Sequence, residues 1–184
     1  MNRQGVLAQT SEDMTDEHFP LLIYTNQTFR NFTFSTRLKT VSGIAEQMAG
    51  MVFRYQNPSN YYVVRMSALG NNVRFYKVVD GLRSVPIGPS LAVTNGAWHT
   101  LAVQCDGNQI ALRFDGKPVM PPLGDNSFNE GRIGFCTKSD AVAYFTAAKI
   151  EYTPVIAAAQ SLVNQIMARQ TRLLGLRVYL AQTN

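Results

Sequence analysis

Cysteine is scarce in this chain. Cys105 and Cys136 are the only two, too few for a disulfide framework and without the paired spacing of a metal knuckle. Histidine is as rare, at His18 and His99, which excludes a His-rich metal site. No apolar run approaches the roughly 18–20 residues that a membrane-spanning helix needs, so no membrane span is expected. The first residues, Met1-Asn2-Arg3-Gln4-Gly5, are polar and hold no signal-peptide hydrophobic stretch. Charge is also sparse: 16% of the 184 residues are charged against 46% apolar, a balance that excludes a disordered chain or a coiled coil. Seventeen Lys+Arg against twelve Asp+Glu give a net charge of +5. The bases are scattered singly along the chain rather than bunched, so a nucleic-acid partner is not expected.

What is present is turn punctuation. Asn57-Pro58-Ser59-Asn60, Gly70-Asn71-Asn72, Asp80-Gly81, Asn95-Gly96, Asp106-Gly107-Asn108 and Asp115-Gly116 recur between short alternating runs. Asp-Gly and Asn-Gly supply the positive φ angles that tight hairpins require. Such spacing predicts an all-β, antiparallel sandwich or barrel, with strands at 20–25, 31–39, 50–56, 61–67, 72–79, 98–105, 109–115, 131–137 and 142–152.

Alternation assigns faces, since residues i and i+2 of a strand share a side. Phe32, Phe34 and Leu38 point one way. Met51 and Phe53, Tyr62, Val64 and Met66, and Val73 and Phe75 form a candidate core. The reverse faces carry Arg54 and Gln56, Tyr61 and Arg65, and Arg74 and Tyr76, so three neighbouring strands present arginine and tyrosine together. The same alternation turns Cys105 inward and Cys136 outward, which predicts free thiols.

After Thr153-Pro154 the period changes. Ile156, Ala159, Val163, Ile166, Met167, Gln170, Leu173 and Leu174 recur at helical spacing, and Gly175 is a natural C-cap. The expected organisation is a sandwich domain over residues 1–153 and a helical appendage over 154–184. The apolar stripe of that helix either packs on its own domain or serves as an association surface, giving a homodimer.

The run Gly50-Met51-Val52-Phe53-Arg54-Tyr55-Gln56-Asn57-Pro58-Ser59-Asn60-Tyr61-Tyr62-Val63-Val64-Arg65 resembles the concanavalin A-like lectin/glucanase superfamily. More narrowly, it resembles the 3-keto-disaccharide hydrolase-like branch of unknown function. Val73-Arg74-Phe75-Tyr76, Gly96-Ala97-Trp98-His99-Thr100-Leu101, Phe114-Asp115-Gly116-Lys117 and Gly131-Arg132-Ile133-Gly134-Phe135 carry the same likeness, which spans about residues 6–152. It implies a two-sheet jelly roll with one concave face, an exported (extracellular or periplasmic) setting and a concern with carbohydrate. Where that branch places an acidic pair after the phenylalanine of its last strand, this chain has Phe145-Thr146-Ala147, and the C-terminal helix lies outside the pattern.

Three uses are open to such a chain. A glycosidase needs two carboxylates about 5–9.5 Å apart across the scissile bond. Asp80, Asp106 and Asp115 each precede glycine and read as turn residues, Asp125, Glu130 and Asp140 fall in connections, and Glu46 in a loop. The cluster Glu12-Asp13-Met14-Thr15-Asp16-Glu17 reads as a solvated loop, and His99 as the start of a strand. No residue is assigned a catalytic role, and neither metal nor cofactor is expected. Elimination chemistry on a 3-keto glycoside is suggested by the resemblance alone. A carbohydrate binder fits the residues better, since rings stack on sugar faces and arginine offers a planar fork of donors. Arg54, Tyr61, Arg65, Arg74, Tyr76 and Arg37 are the candidate ligand-binding residues, and their charge favours anionic saccharides over neutral glucan. The third use is a structural or oligomerisation module acting through the C-terminal helix.

Overall fold

The computed structural model describes residues 5–154 and 162–167. Thirteen strands occur among them: β1 (Leu7–Gln9), β2 (Leu21–Phe29), β3 (Phe32–Ser42), β4 (Met48–Asn57), β5 (Asn60–Ser67), β6 (Asn72–Val79), β7 (Leu82–Arg83), β8 (His99–Asp106), β9 (Gln109–Phe114), β10 (Lys117–Pro118), β11 (Leu123–Gly124), β12 (Gly131–Thr137) and β13 (Val142–Tyr152). They form two antiparallel sheets. Sheet I runs β1-β13-β3-β8-β9-β10, with β11 also on β9, and sheet II runs β2-β12-β4-β5-β6-β7. The result is an all-β jelly-roll sandwich, as the turn spacing predicts. The hairpins close where Asp-Gly sits: φ is +50° at Asp80 and +80° at Gly81, and +47° at Asp115 and +76° at Gly116, the pair of positive angles of a type I′ turn.

The interior is built from the inward set that alternation selects. Phe32, Phe34, Leu38, Met51, Phe53, Tyr62, Val64, Met66, Val73, Phe75, Leu101 and Val103 belong to one buried cluster. Full burial of each such side chain is worth ~1.5–3 kcal/mol, so this cluster is the main source of cohesion. Cys105 lies in it, whereas Cys136 lies in a second cluster on the outer side of sheet II. Both are free and buried, and burial pushes both thiols up to about 12.

The chain divides into two compact units, Met1–Tyr152 and Thr153–Asn184. In the second, residues 162–167 are helical, with Leu162, Val163, Ile166 and Met167 exposed. Ile156, Ala159, Gln170, Leu173, Leu174 and Gly175 of the predicted helix lie outside the described residues. No helix among the described residues is long and apolar enough to cross a membrane.

Candidate functional site

The outer side of sheet II is where the arginine and tyrosine pattern converges. Register pairs Arg65 with Arg74, Val63 with Tyr76 and Tyr61 with Val78, and sets Gly50 of β4 opposite Arg65. A Cβ on Gly50 would lie 2.6 Å from Arg65 Cβ and 2.9 Å from Cys136 Sγ. Glycine therefore leaves the gap that the half-buried Arg65 crosses. Burial lowers the Arg65 pKa from its ordinary value, and the nearby charge of Glu46 opposes that shift. Arg65 donates to Asn72 Oδ1. Arg74 donates to the Gly88 carbonyl and, at 3.4 Å, to Ser90 Oγ.

Glu46 is held on this side by Asp140. The Asp140 carboxylate accepts hydrogen bonds from the backbone N–H groups of Ile44 (2.5 Å), Ala45 (3.1 Å) and Glu46 (3.0 Å). These donors keep its pKa below the ordinary carboxylate value, because they stabilise the charged form. Glu46 Oε1 then accepts from Ser67 Oγ at 3.0 Å.

At the other end of the face, Tyr61, Tyr76 and Val78 form the floor of a cavity of about 230 Å3 whose rim is Glu17, Phe19, Pro58, Gly81 and Arg83. The Arg83 guanidinium lies 5.8 Å from the Tyr76 ring centre and 5.7 Å from that of Phe19. Glu17 approaches Arg83 at 3.8 Å, and Asp16 pairs with Lys138 at 2.8 Å. His18 and Pro20 accept backbone hydrogen bonds from Ser139 and Thr137. Residues 16–20 are thus a strap tied to β12 and its following turn, with Glu17 in the left-handed region at φ +58°. Burial raises the phenol pKa of Tyr61 and of Tyr76, so both stay neutral donors. Beside them, Tyr55 and Tyr61 pack at 5.8 Å, and Arg132, opposite Tyr55 in register, has a buried Nε with no partner.

Two of the residues proposed from alternation are elsewhere. Arg54 is fully buried. Pairing of β4 with β5 shifts after Phe53, and Arg54 sits at φ +48°, so its side chain turns away from the outer face while Tyr55 takes its place. Its guanidinium donates to the carbonyls of Phe128 (2.9 Å), Arg30 (3.3 Å) and Gly107, joining three connections at one end of the sandwich. Gly131 permits this, since a Cβ there would lie 2.4 Å from Arg54 C. Arg37 is exposed on β3 of sheet I, apart from Tyr61, Arg65, Arg74 and Tyr76, which do share one face.

Residues that alternation missed are Arg83, in a strand of two residues; Glu46, in a loop; Arg132; and Glu17 and Phe19, in the acidic N-terminal segment. Only the Glu12–Glu17 cluster carried a sequence signal, and it read as solvent-facing. The remaining candidates have structural engagements. His99 Nδ1 lies 2.7 Å from Asp115 Oδ2 and its ring stacks on Phe114. Asp125 accepts from Tyr62 Oη at 2.5 Å and Lys77 Nζ at 2.6 Å. Burial raises the Asp125 pKa, but the donors Lys77, Tyr62 and Ser127 outweigh it and hold the carboxyl well below the ordinary range. Among the described residues no three of His, Cys, Asp and Glu gather as metal ligands. Two larger cavities, about 600 and 560 Å3, open beside β2 where the sheets part. Leu22 and Phe135 line both, and their walls are mainly apolar, without the convergent charged groups of the smaller cavity.

A sequence profile for β-xylosidase C-terminal concanavalin A-like domains matches residues 3–129. The chain belongs to that family. The superfamily resemblance of the sequence therefore holds, and the matching profile is that of the β-xylosidase domains rather than of the 3-keto-disaccharide hydrolase branch. No curated protein matches the chain. Among solved structures, a carbohydrate-binding module CBM66 from Bacillus subtilis superposes with a TM-score of 0.68 at 19% identity, covering 82% of this chain and 97% of that one. A putative glycosyl hydrolase from Parabacteroides distasonis gives 0.59 at 17% identity, over 81% and 87%. Galectin LEC-6 from Caenorhabditis elegans gives 0.53 at 10%, over 82% and 94%. At such identities the likeness establishes the fold.

Proposed function

We propose that this domain is a non-catalytic carbohydrate-binding module that takes its ligand on the outer face of sheet II. The observation that carries this reading is the cavity at Tyr61, Tyr76 and Arg83. It has an aromatic floor for the apolar side of a sugar ring and a guanidinium at the rim for its hydroxyl or acid groups. Arg65, Arg74 and Arg132 extend the donor set along the same face. The solved structures with this fold include a carbohydrate-binding module and a galectin, which supports the reading. Arginine outnumbers acid on the face, so acidic saccharides are preferred over neutral ones, and the setting is extracellular or periplasmic, where such polymers are met.

Binding rather than cleavage is also favoured by how the carboxylates are engaged. Asp140 caps a loop and Asp125 clamps Lys77 and Tyr62, so these two carboxylates are engaged in holding the fold rather than placed as a glycosidic acid–base pair. The test is a glycan array probed with the wild-type chain and with Arg83→Ala, carrying neutral, uronic and sulfated saccharides side by side. Hits that disappear in Arg83→Ala support the assignment, whereas hits retained in full would move the site off this cavity.

A further inference from the structure

Arg37 belongs to a different cluster, on the opposite side of the sandwich. On the outer side of sheet I, Lys39 is in register with Tyr144, and Arg37 is in register with Thr100 and Thr146. Trp98, just before β8, stands beside them. The Arg37 guanidinium lies 5.4 Å from the Trp98 ring centre and Lys39 Nζ lies 5.0 Å from it; Lys39 Nζ is also 5.3 Å from the Tyr144 ring centre. Two cations therefore lie against one indole ring. They sit two residues apart on β3, about 7 Å along the strand.

Like charges brought together on a sheet face repel, and no carboxylate relieves these two. Among the described residues neither Arg37 nor Lys39 has an acid within ion-pair distance. The nearest strands' acids are committed elsewhere: Asp115 to His99 and to the Thr100 N–H, Glu151 to Lys149. Ser35 and Ala102, the next pair across the face, are small and neutral, and beyond Ala102 lies Arg113. On this face Lys149 is thus neutralised by Glu151, whereas Arg37, Lys39 and Arg113 have no acid within ion-pair distance among the described residues.

We infer that the outer face of sheet I is a second binding surface, for an acidic polysaccharide, with Arg37 and Lys39 as its anion contacts. Charge complementarity with a chain bearing a carboxylate on successive sugars selects this occupant. A single-stranded nucleic acid is less suited, because this face presents Trp98 and Tyr144 rather than a run of rings on which successive bases stack. This surface does not depend on the sheet II site and survives if that reading fails.

Trp98 is the only tryptophan, so its emission reports this face directly. Sodium polygalacturonate titrated into the full chain should change Trp98 fluorescence as Arg37 and Lys39 turn from the ring to the ligand. Lys39→Ala and Arg37→Ala should each weaken the titration about tenfold, and raised salt should weaken it in wild type. Circular dichroism of each variant confirms the fold. The proposal is overturned if polygalacturonate leaves Trp98 emission unchanged, or if Lys39→Ala and Arg37→Ala respond as wild type does. It is also overturned if neutral dextran acts equally, or if single-stranded DNA binds at least as tightly.

Discussion

The two outer faces of this sandwich are built on the same alternation and end up chemically opposite. On sheet II the outward residues Met48, Val52, Val63, Val78 and Cys136 are buried, and the arginines cross over them to fixed partners at the rim. On sheet I the residues around Arg37 and Lys39 are mostly small or polar, and these two cations rest on the Trp98 and Tyr144 rings with no acid attached among the described residues. A face covered by its own side chains and by a strap can form a shaped cavity with a desolvated floor. An open face can offer only spaced charge. The lesson is that arginine on a sheet acquires its role from what lies beneath and beside it, since Arg37, Arg54 and Arg65 look alike in an alternating run yet serve as surface charge, internal clamp and candidate ligand contact.

The largest effect should come from Arg54→Ala. It strips a fully buried guanidinium from the three carbonyls of Phe128, Arg30 and Gly107. Loss of ~3 kcal/mol or more is expected from leaving such acceptors unpaired, read as a fall in denaturant midpoint. A loss of less than about 1 kcal/mol would return Arg54 to the list of surface residues. Next is Asp125→Asn, expected to cost ~1–3 kcal/mol through Lys77 and Tyr62. Because the folded Asp125 pKa is depressed, its contribution is present above the unfolded value of about 3.9. It is lost as pH falls from there through the folded pKa. The wild-type chain should therefore lose this stability on acidification below about pH 4 while Asp125→Asn loses less, a difference that acid unfolding curves would reveal.

The remaining effects concern ligand and sharpen the contrast between the faces. Arg83→Ala removes an exposed side chain, so stability should hold while saccharide affinity on sheet II falls about tenfold, or ~1.4 kcal/mol. Glu17→Gln should do the reverse by a smaller margin. Glu17 faces Arg83 across the cavity rim at 3.8 Å and competes with a ligand carboxylate for it. Neutralising it should tighten acidic saccharides by a few-fold, the ~0.2–1 kcal/mol of an exposed ion pair, and leave neutral ones unchanged. Equal changes for both classes in a calorimetric titration would count against an acid-binding subsite at Arg83.

The sandwich and its core were legible because period-2 patterning and Asp-Gly turns act locally and agree with each other. Every long strand lies near its predicted span. The site was half legible. Tyr61, Arg65, Arg74 and Tyr76 share a face because β5 and β6 pair without interruption. Arg54 escaped because a bulge with a left-handed arginine has no signature in a run such as Phe53-Arg54-Tyr55. Arg83 escaped because β7 has two residues, too few to show a period. Glu46 and Glu17 reach the face through Asp140 and through the strap, tertiary contacts over long sequence separations that no local pattern encodes.

The central claim is that one face of the sandwich, sheet II, holds a shaped saccharide site. It is tested most directly by calorimetric titration of the strongest glycan-array ligand into wild type, Arg83→Ala and Lys39→Ala, each verified as folded. The account predicts a loss of about tenfold or more in Arg83→Ala and wild-type affinity for a short oligosaccharide in Lys39→Ala. Undiminished binding in Arg83→Ala, with affinity lost in Lys39→Ala, would contradict it.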